Sequence, residues 1–107
     1  RPVPMPPARG YVYWADIGSG RKPWLVVSNN LRNASLGDVL AVRITTSANK
    51  PRLPSIVELG SGDPIKGGVL CDDIAILYHD DLVGFAGAVT IDTLARVSAG
   101  LKSALAL

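Results

Sequence analysis

From Gly10 to Val89, apolar and β-branched residues come only in short runs cut apart by glycine, proline and asparagine. After Thr90 the spacing changes once, to threes and fours. The early runs predict strands at about 11–17 (Y-V-Y-W-A-D-I), 24–28, 38–46, 55–59, 67–72, 73–77 and 82–89. Gly18-Ser19-Gly20 is a tight turn with Arg21 and Lys22 on its far side, Pro23 opens the second run and Asn29-Asn30 ends it. Leu31 to Ser35 is a helical turn or an irregular loop, and Ser47 to Pro54 is a polar, basic loop stopped by prolines. In the third run Val39, Ala41, Arg43 and Thr45 share one face. Gly84 and Gly87 predict a strongly bent last strand. Thr90 is the N-cap of a terminal helix with Asp92 in its first turn, and Leu94, Val97, Leu101 and Leu105 form its apolar stripe. Gly100 weakens that helix by roughly 1 kcal/mol relative to alanine, so burial must hold it. Many short strands followed by one helix give an α+β, mostly β class: a small barrel or curved sheet with the helix packed on it.

The 107 residues suffice for one domain and exclude a separate cofactor lobe. With 48% hydrophobic residues and a net charge of only +2, the chain is not disordered. No apolar run approaches the roughly 18 residues of a membrane span, and the first residues lack a signal-peptide core. The proline-rich residues 1–8 are expected to be disordered or left from cloning, with Met5 the natural start, and residues 9–107 to form the single domain. A lone cysteine, Cys71, excludes an internal disulfide framework and makes the cytoplasm the default location. Charge is split along the chain. Residues 1–53 carry eight basic and two acidic groups, residues 54–107 three basic and seven acidic. Either the halves fold onto separate faces and one face is a polyanion footprint, or the charges interleave and cancel.

The residue inventory narrows the chemistry. His79 is the only histidine and, with Cys71 and scattered aspartates, does not make a zinc site, so neither metal nor cofactor is expected. No G-x-S-x-G elbow and no phosphate loop are present. Cys71, in an apolar strand, reads as core. RNA cleavage by the substrate's own 2′-hydroxyl needs neither metal nor triad; the protein must align the chain and stabilise charge on the phosphorane. Arg21 and Lys22 supply cations for this, and Thr45, Thr46 and Ser47 supply hydroxyls. The same residues also read as turn solvation and ordinary strand formers. Trp14 and Trp24 read either as core or as platforms for bases.

At these residues the chain resembles the MazF/PemK toxins, mRNA interferases of bacterial toxin–antitoxin modules. R-G-Y-V-Y-W-A-D-I from Arg9 is similar to the family's opening strand, and K-P-W-L-V-V-S-N-N from Lys22 to its second strand, in the form of the actinobacterial branch. Val42 to Thr46, Arg52 to Ser55 and Leu70 to Asp73 have counterparts in the same order. The resemblance implies an SH3-like small barrel with a C-terminal helix, a homodimer, and a groove for single-stranded RNA. It implies metal-free cleavage to 2′,3′-cyclic phosphate and 5′-hydroxyl ends, and inhibition by a MazE-like antitoxin. It places the catalytic positions on Lys22 and Thr45 and a functional aspartate on Asp72. On this reading Arg21 assists Lys22, and Asn29, Thr46, Ser47, Asp72 and Asp73 contact the RNA.

The chain departs from the pattern in places. Many members have arginine where Lys22 stands, and lysine lacks the bidentate fork. The arginine that one branch uses before the cysteine is Leu70 here. The first loop is short, which predicts an open groove. The competing readings are a CcdB-like toxin of the same fold that poisons DNA gyrase without cutting nucleic acid, and a non-toxic barrel adaptor. The chain ends A-L-A-L, without the C-terminal tryptophan that CcdB-like chains use on gyrase.

Overall fold

The computed structural model describes residues 3–47 and 49–107. Six strands and two helices follow in the order β1 (Tyr11–Asp16), β2 (Arg21–Val26), α1 (Asn30–Ser35), β3 (Asp38–Thr45), β4 (Ile56–Glu58), β5 (Gly68–Tyr78), β6 (Leu82–Ala88) and α2 (Ile91–Leu105). One 3-10 turn, His79–Asp81, joins β5 to β6. The strands form a single antiparallel sheet ordered β4-β5-β3-β2-β1-β6, the mostly β, α+β arrangement expected.

The central strands are buried on both faces, which explains why their sequences run apolar instead of alternating. Val12, Leu25, Val42, Ile44, Val57, Val69 and Cys71 form one cluster, closed by Val97 of α2. Tyr13, Ala15, Trp24, Val26, Val39, Ala41, Leu77 and Leu82 form the other. Strand β5 serves both, Cys71 in one and Leu77 in the other. It does so because its pairing with β3 jumps from Val42↔Ile74 to Arg43↔Leu70, leaving Cys71, Asp72 and Asp73 without partners on β3. The sequence pattern predicts two strands, 67–72 and 73–77; they are one bent strand, and the bend falls where the pattern breaks.

Other boundaries shift for local reasons. Strand β2 begins at Arg21, not Trp24. Its pairing with β3 starts only after Pro23, so the proline sits where one side of the strand is still an edge. Residues Asn30–Ser35 form a true helix, capped by Asn29, whose side chain accepts from the Arg32 amide at 2.8 Å.

Helix α2 sits close on the first cluster. A Cβ at Gly100 would lie 2.7 Å from Cys71 Sγ and 3.2 Å from Val57 Cγ2. Arg9 ties the sheet to the same helix, donating to the Val27 carbonyl and, at 2.7 Å, to Ser98 Oγ. Asp63 anchors the helix start by accepting from the Thr90 amide at 2.8 Å, Thr93 Oγ1 at 2.7 Å and the Gly60 amide at 2.7 Å. Burial alone would raise its pKa, but these donors outweigh burial and lower it.

Of the proline-rich first eight residues, 3–8 are described. Val3 packs against the second cluster, Pro7 is buried, and Tyr13 Oη donates to the Pro4 carbonyl at 2.9 Å. An apolar valine and prolines offer surface to bury, which a polar leader would not. Arg1 and Pro2 lie outside the described residues. Among the described residues no helix is long and apolar enough to cross a membrane.

Candidate active site

Strands β2 and β3 pair with Trp24 opposite Arg43. Continuing that register two residues toward the start of β2 sets Lys22 opposite Thr45, on the same sheet face as Arg43. A cavity of about 420 Å³ opens at this end of the two strands. Arg21, Lys22 and Pro23 line it from β2, and Arg43, Ile44 and Thr45 from β3. Thr46 and Ser47 in the following loop and Trp14 of β1 complete the wall.

Local structure fixes each group. The Ser47 amide donates to Thr45 Oγ1 at 3.2 Å, which orients the hydroxyl and leaves its proton free to donate. Lys50 clips the same loop, bonding the Ser47 carbonyl at 3.3 Å and pairing with Glu58 at 2.7 Å. Gly67, at φ 141°, lets β5 pass beneath: a Cβ there would run into the Thr45 carbonyl oxygen. The Arg21 guanidinium lies over the Trp14 ring, 5.0 Å from its centroid, against Gly84 of β6.

Five of the sequence-derived candidates, Arg21, Lys22, Thr45, Thr46 and Ser47, therefore meet in one groove. Asp73 reaches it indirectly, with Oδ2 accepting from Arg43 Nε at 2.7 Å. Asp72 is exposed on the β5 bend and does not line the groove. Asn29 is spent as the α1 cap, beyond the far end of β2 from Lys22, and does not line the groove. Arg43 is the residue that sequence reading did not assign. The signal was available, since it stands two positions before Thr45 on one strand face. Trp24, only 3% exposed, belongs to the core, whereas Trp14 lines the groove under Arg21.

Two other features lie outside this groove. A larger cavity of about 660 Å³ lies along residues 50–58, but its Lys50 is already paired with Glu58 and it holds none of the strand-end hydroxyls. Cys71 is buried, and burial together with the Asp72 charge pushes its thiol up to about 11, so it is no nucleophile near neutral pH. Among the described residues no three His, Cys, Asp or Glu side chains converge to hold a metal ion.

Residues 8–105 match the family model of the PemK-like, MazF-like toxins of type II toxin–antitoxin systems. The chain belongs to that family. It is 45% identical over 101 residues to endoribonuclease MazF4 of Mycobacterium tuberculosis, covering 94% of each chain. It superposes with a TM-score of 0.91, at 44% identity, on a mycobacterial endoribonuclease solved in complex with its cognate antitoxin, covering 94% of this chain and 96% of that one. The MazE–MazF complex of Deinococcus radiodurans has the same fold at 28% identity, with a TM-score of 0.78 over 94% of this chain and 96% of its own. The bent six-stranded sheet with its terminal helix is thus the MazF barrel.

Proposed function

We propose that this chain is a sequence-selective endoribonuclease toxin that cleaves single-stranded RNA in the groove between Lys22 and Thr45. One observation carries the reading: Lys22 of β2 and Thr45 of β3, its hydroxyl held by the Ser47 amide, line one cavity together with Arg21 and Arg43. The substrate supplies the nucleophile. Its 2′ oxygen loses a proton and attacks the adjacent phosphorus. The bond from phosphorus to the 5′ oxygen breaks, and that oxygen leaves with a proton. The products are a 2′,3′-cyclic phosphate and a 5′-hydroxyl. Thr45 donates its free proton to a phosphoryl oxygen, and Lys22 neutralises charge that grows as the phosphorane forms. No step calls on a metal ion. Thr46 and Ser47 hold the flanking backbone in the groove.

A MazE-like antitoxin and a second copy of the chain are the partners. The solved mycobacterial and Deinococcus relatives are complexes with an antitoxin. Ile74, Ile76 and Tyr78 stand exposed on one face of β5, an apolar ladder suited to association as a homodimer. Residues 9–107 act as one toxin domain in the cytoplasm, where the single thiol stays reduced. The gyrase-binding alternative is not favoured, since the matched relatives are named endoribonucleases.

Incubation of the purified protein with a long mixed-sequence RNA in excess EDTA tests this. Cleavage with 5′-hydroxyl ends is expected, and Lys22→Ala and Thr45→Ala should each lower it by about 10²–10³-fold with fold and light-scattering mass unchanged. Cleavage at full rate by both variants would remove the site.

A further inference from the structure

We propose that Arg43 is a second substrate-contacting cation, supplying the paired donors that Lys22 lacks, and that Asp73 is the positioning residue that aims it. The inference rests on the endoribonuclease reading and deepens it.

A phosphorane carries charge on two non-bridging oxygens. The Lys22 ammonium is a point charge, whereas a guanidinium offers a planar fork that fits two such oxygens at once. Of the two arginines in the groove wall, Arg21 has its guanidinium carbon over the Trp14 ring, 5.0 Å from the centroid. Arg43 is differently held. Its Nε donates to Asp73 Oδ2 at 2.7 Å, and among the described residues neither terminal nitrogen has a hydrogen-bond partner. The pair is partly open, the Arg43 side chain 31% and the Asp73 side chain 42% exposed. Nε is therefore fixed, while the two terminal nitrogens of this cavity-lining arginine stay unpaired among the described residues.

The bend of β5 is what makes this arrangement available. Continuing the Val42↔Ile74 register one step would set Asp73 directly across from Arg43, and the ladder breaks off there. Asp73 so remains beside the arginine without belonging to the next stretch of pairing. Thr45 lies two residues further along β3 on the same face, about 7 Å away along the strand. Lys22, Thr45 and Arg43 thus line one cavity from two strands. Arg43 transfers no proton; it donates two hydrogen bonds that tighten as the phosphorane forms.

The cleavage site is first mapped on a long transcript, and a short oligonucleotide spanning it is then used for single-turnover kinetics. Arg43→Ala should lower the saturating rate by about 10²-fold. Arg43→Lys should stay at least 10-fold below wild type, because it restores charge without the fork. Binding of the uncleavable analogue with a 2′-deoxyribose at the scissile position should weaken less than 10-fold in both. Asp73→Asn added to Arg43→Ala should not recover the rate; recovery would mean that Arg43 merely masks a repulsive carboxylate. Phosphorothioate at one non-bridging oxygen should slow wild type more than Arg43→Ala. Wild-type rates in Arg43→Ala or Arg43→Lys, or equal thio effects, overturn the assignment while leaving the Lys22–Thr45 site intact. If Arg43→Ala does not fold, the Arg43→Lys rate and thio effect decide alone. A wild-type protein that leaves the RNA whole overturns the underlying reading instead.

Discussion

Tyr13 holds a phenol inside the second cluster with one partner, the Pro4 carbonyl. Burial first, and the neighbouring Tyr11 second, push its pKa up to about 12. An unfolded tyrosine ionises near 10. Between these values the unfolded chain has lost the proton and the folded chain has kept it, so folding stability is intact below about pH 10 and falls as pH rises toward 12. The slope should approach about 1.4 kcal/mol per pH unit. Urea unfolding from pH 9 to 11.5 measures it, and Tyr13→Phe should flatten the curve; identical slopes would assign the loss to other groups. Residue by residue, the groove was legible in unequal measure. Lys22 and Thr45 could be matched because each sits in a motif that resembles a family strand, one before the second-strand proline and one in V-R-I-T-T. Asn29 could not be judged, because an asparagine closing a strand has the same sequence appearance whether it caps a helix or meets a ligand. Asp73 was expected to contact RNA, and the partner it has in the fold is Arg43, which no sequence pattern pairs with it.

At the level of elements, α2 poses a conflict that only packing resolves. Helix propensity argues against Gly100, and alanine there should gain roughly 1 kcal/mol. The space argues the other way, since a methyl group would press on Cys71 Sγ and Val57. Overpacking of this kind costs about 1–3 kcal/mol. Gly100→Ala is therefore expected to destabilise the protein, read as a lower denaturant midpoint, and Cys71→Ala should compensate in the double variant by vacating the sulfur's volume. A midpoint raised by Gly100→Ala alone would show that the helix stands further off. The sequence pattern signalled that burial must hold this helix but not against what. It also registered the break near residue 72 as a gap between strands. Period-2 alternation stops when residues leave the ladder, and that loss of signal is the same for a bend as for a turn. Strand order β4-β5-β3-β2-β1-β6 lies beyond such patterns altogether, because it depends on which distant runs meet.

Across the whole molecule, the basic first half and acidic second half do not become two faces. Strand β5 lies between β3 and β4, and the halves are stitched by Arg43–Asp73 and Lys50–Glu58. Arg32 is paired with Asp38 within the first half, and Arg9 is turned onto Val27 and Ser98. The cations that face the groove reduce to Arg21, Lys22 and Arg43. This distribution fixes how RNA binding should respond to salt. Each phosphate neutralised on a single strand contributes about −0.7 to the slope of log affinity against log salt. Three cations at one groove predict a slope of about −2, whereas a footprint made of all eight basic residues of the first half would give about −6. Anisotropy titrations of an uncleavable oligonucleotide spanning one cleavage site, from low to moderate potassium chloride, separate the two. A shallow slope that falls by about 0.7 in Arg43→Ala, and stays unchanged in Arg32→Ala, matches a compact groove. A steep slope in wild type would mean that the RNA runs well beyond Lys22 and Thr45, over the other basic residues of the first half.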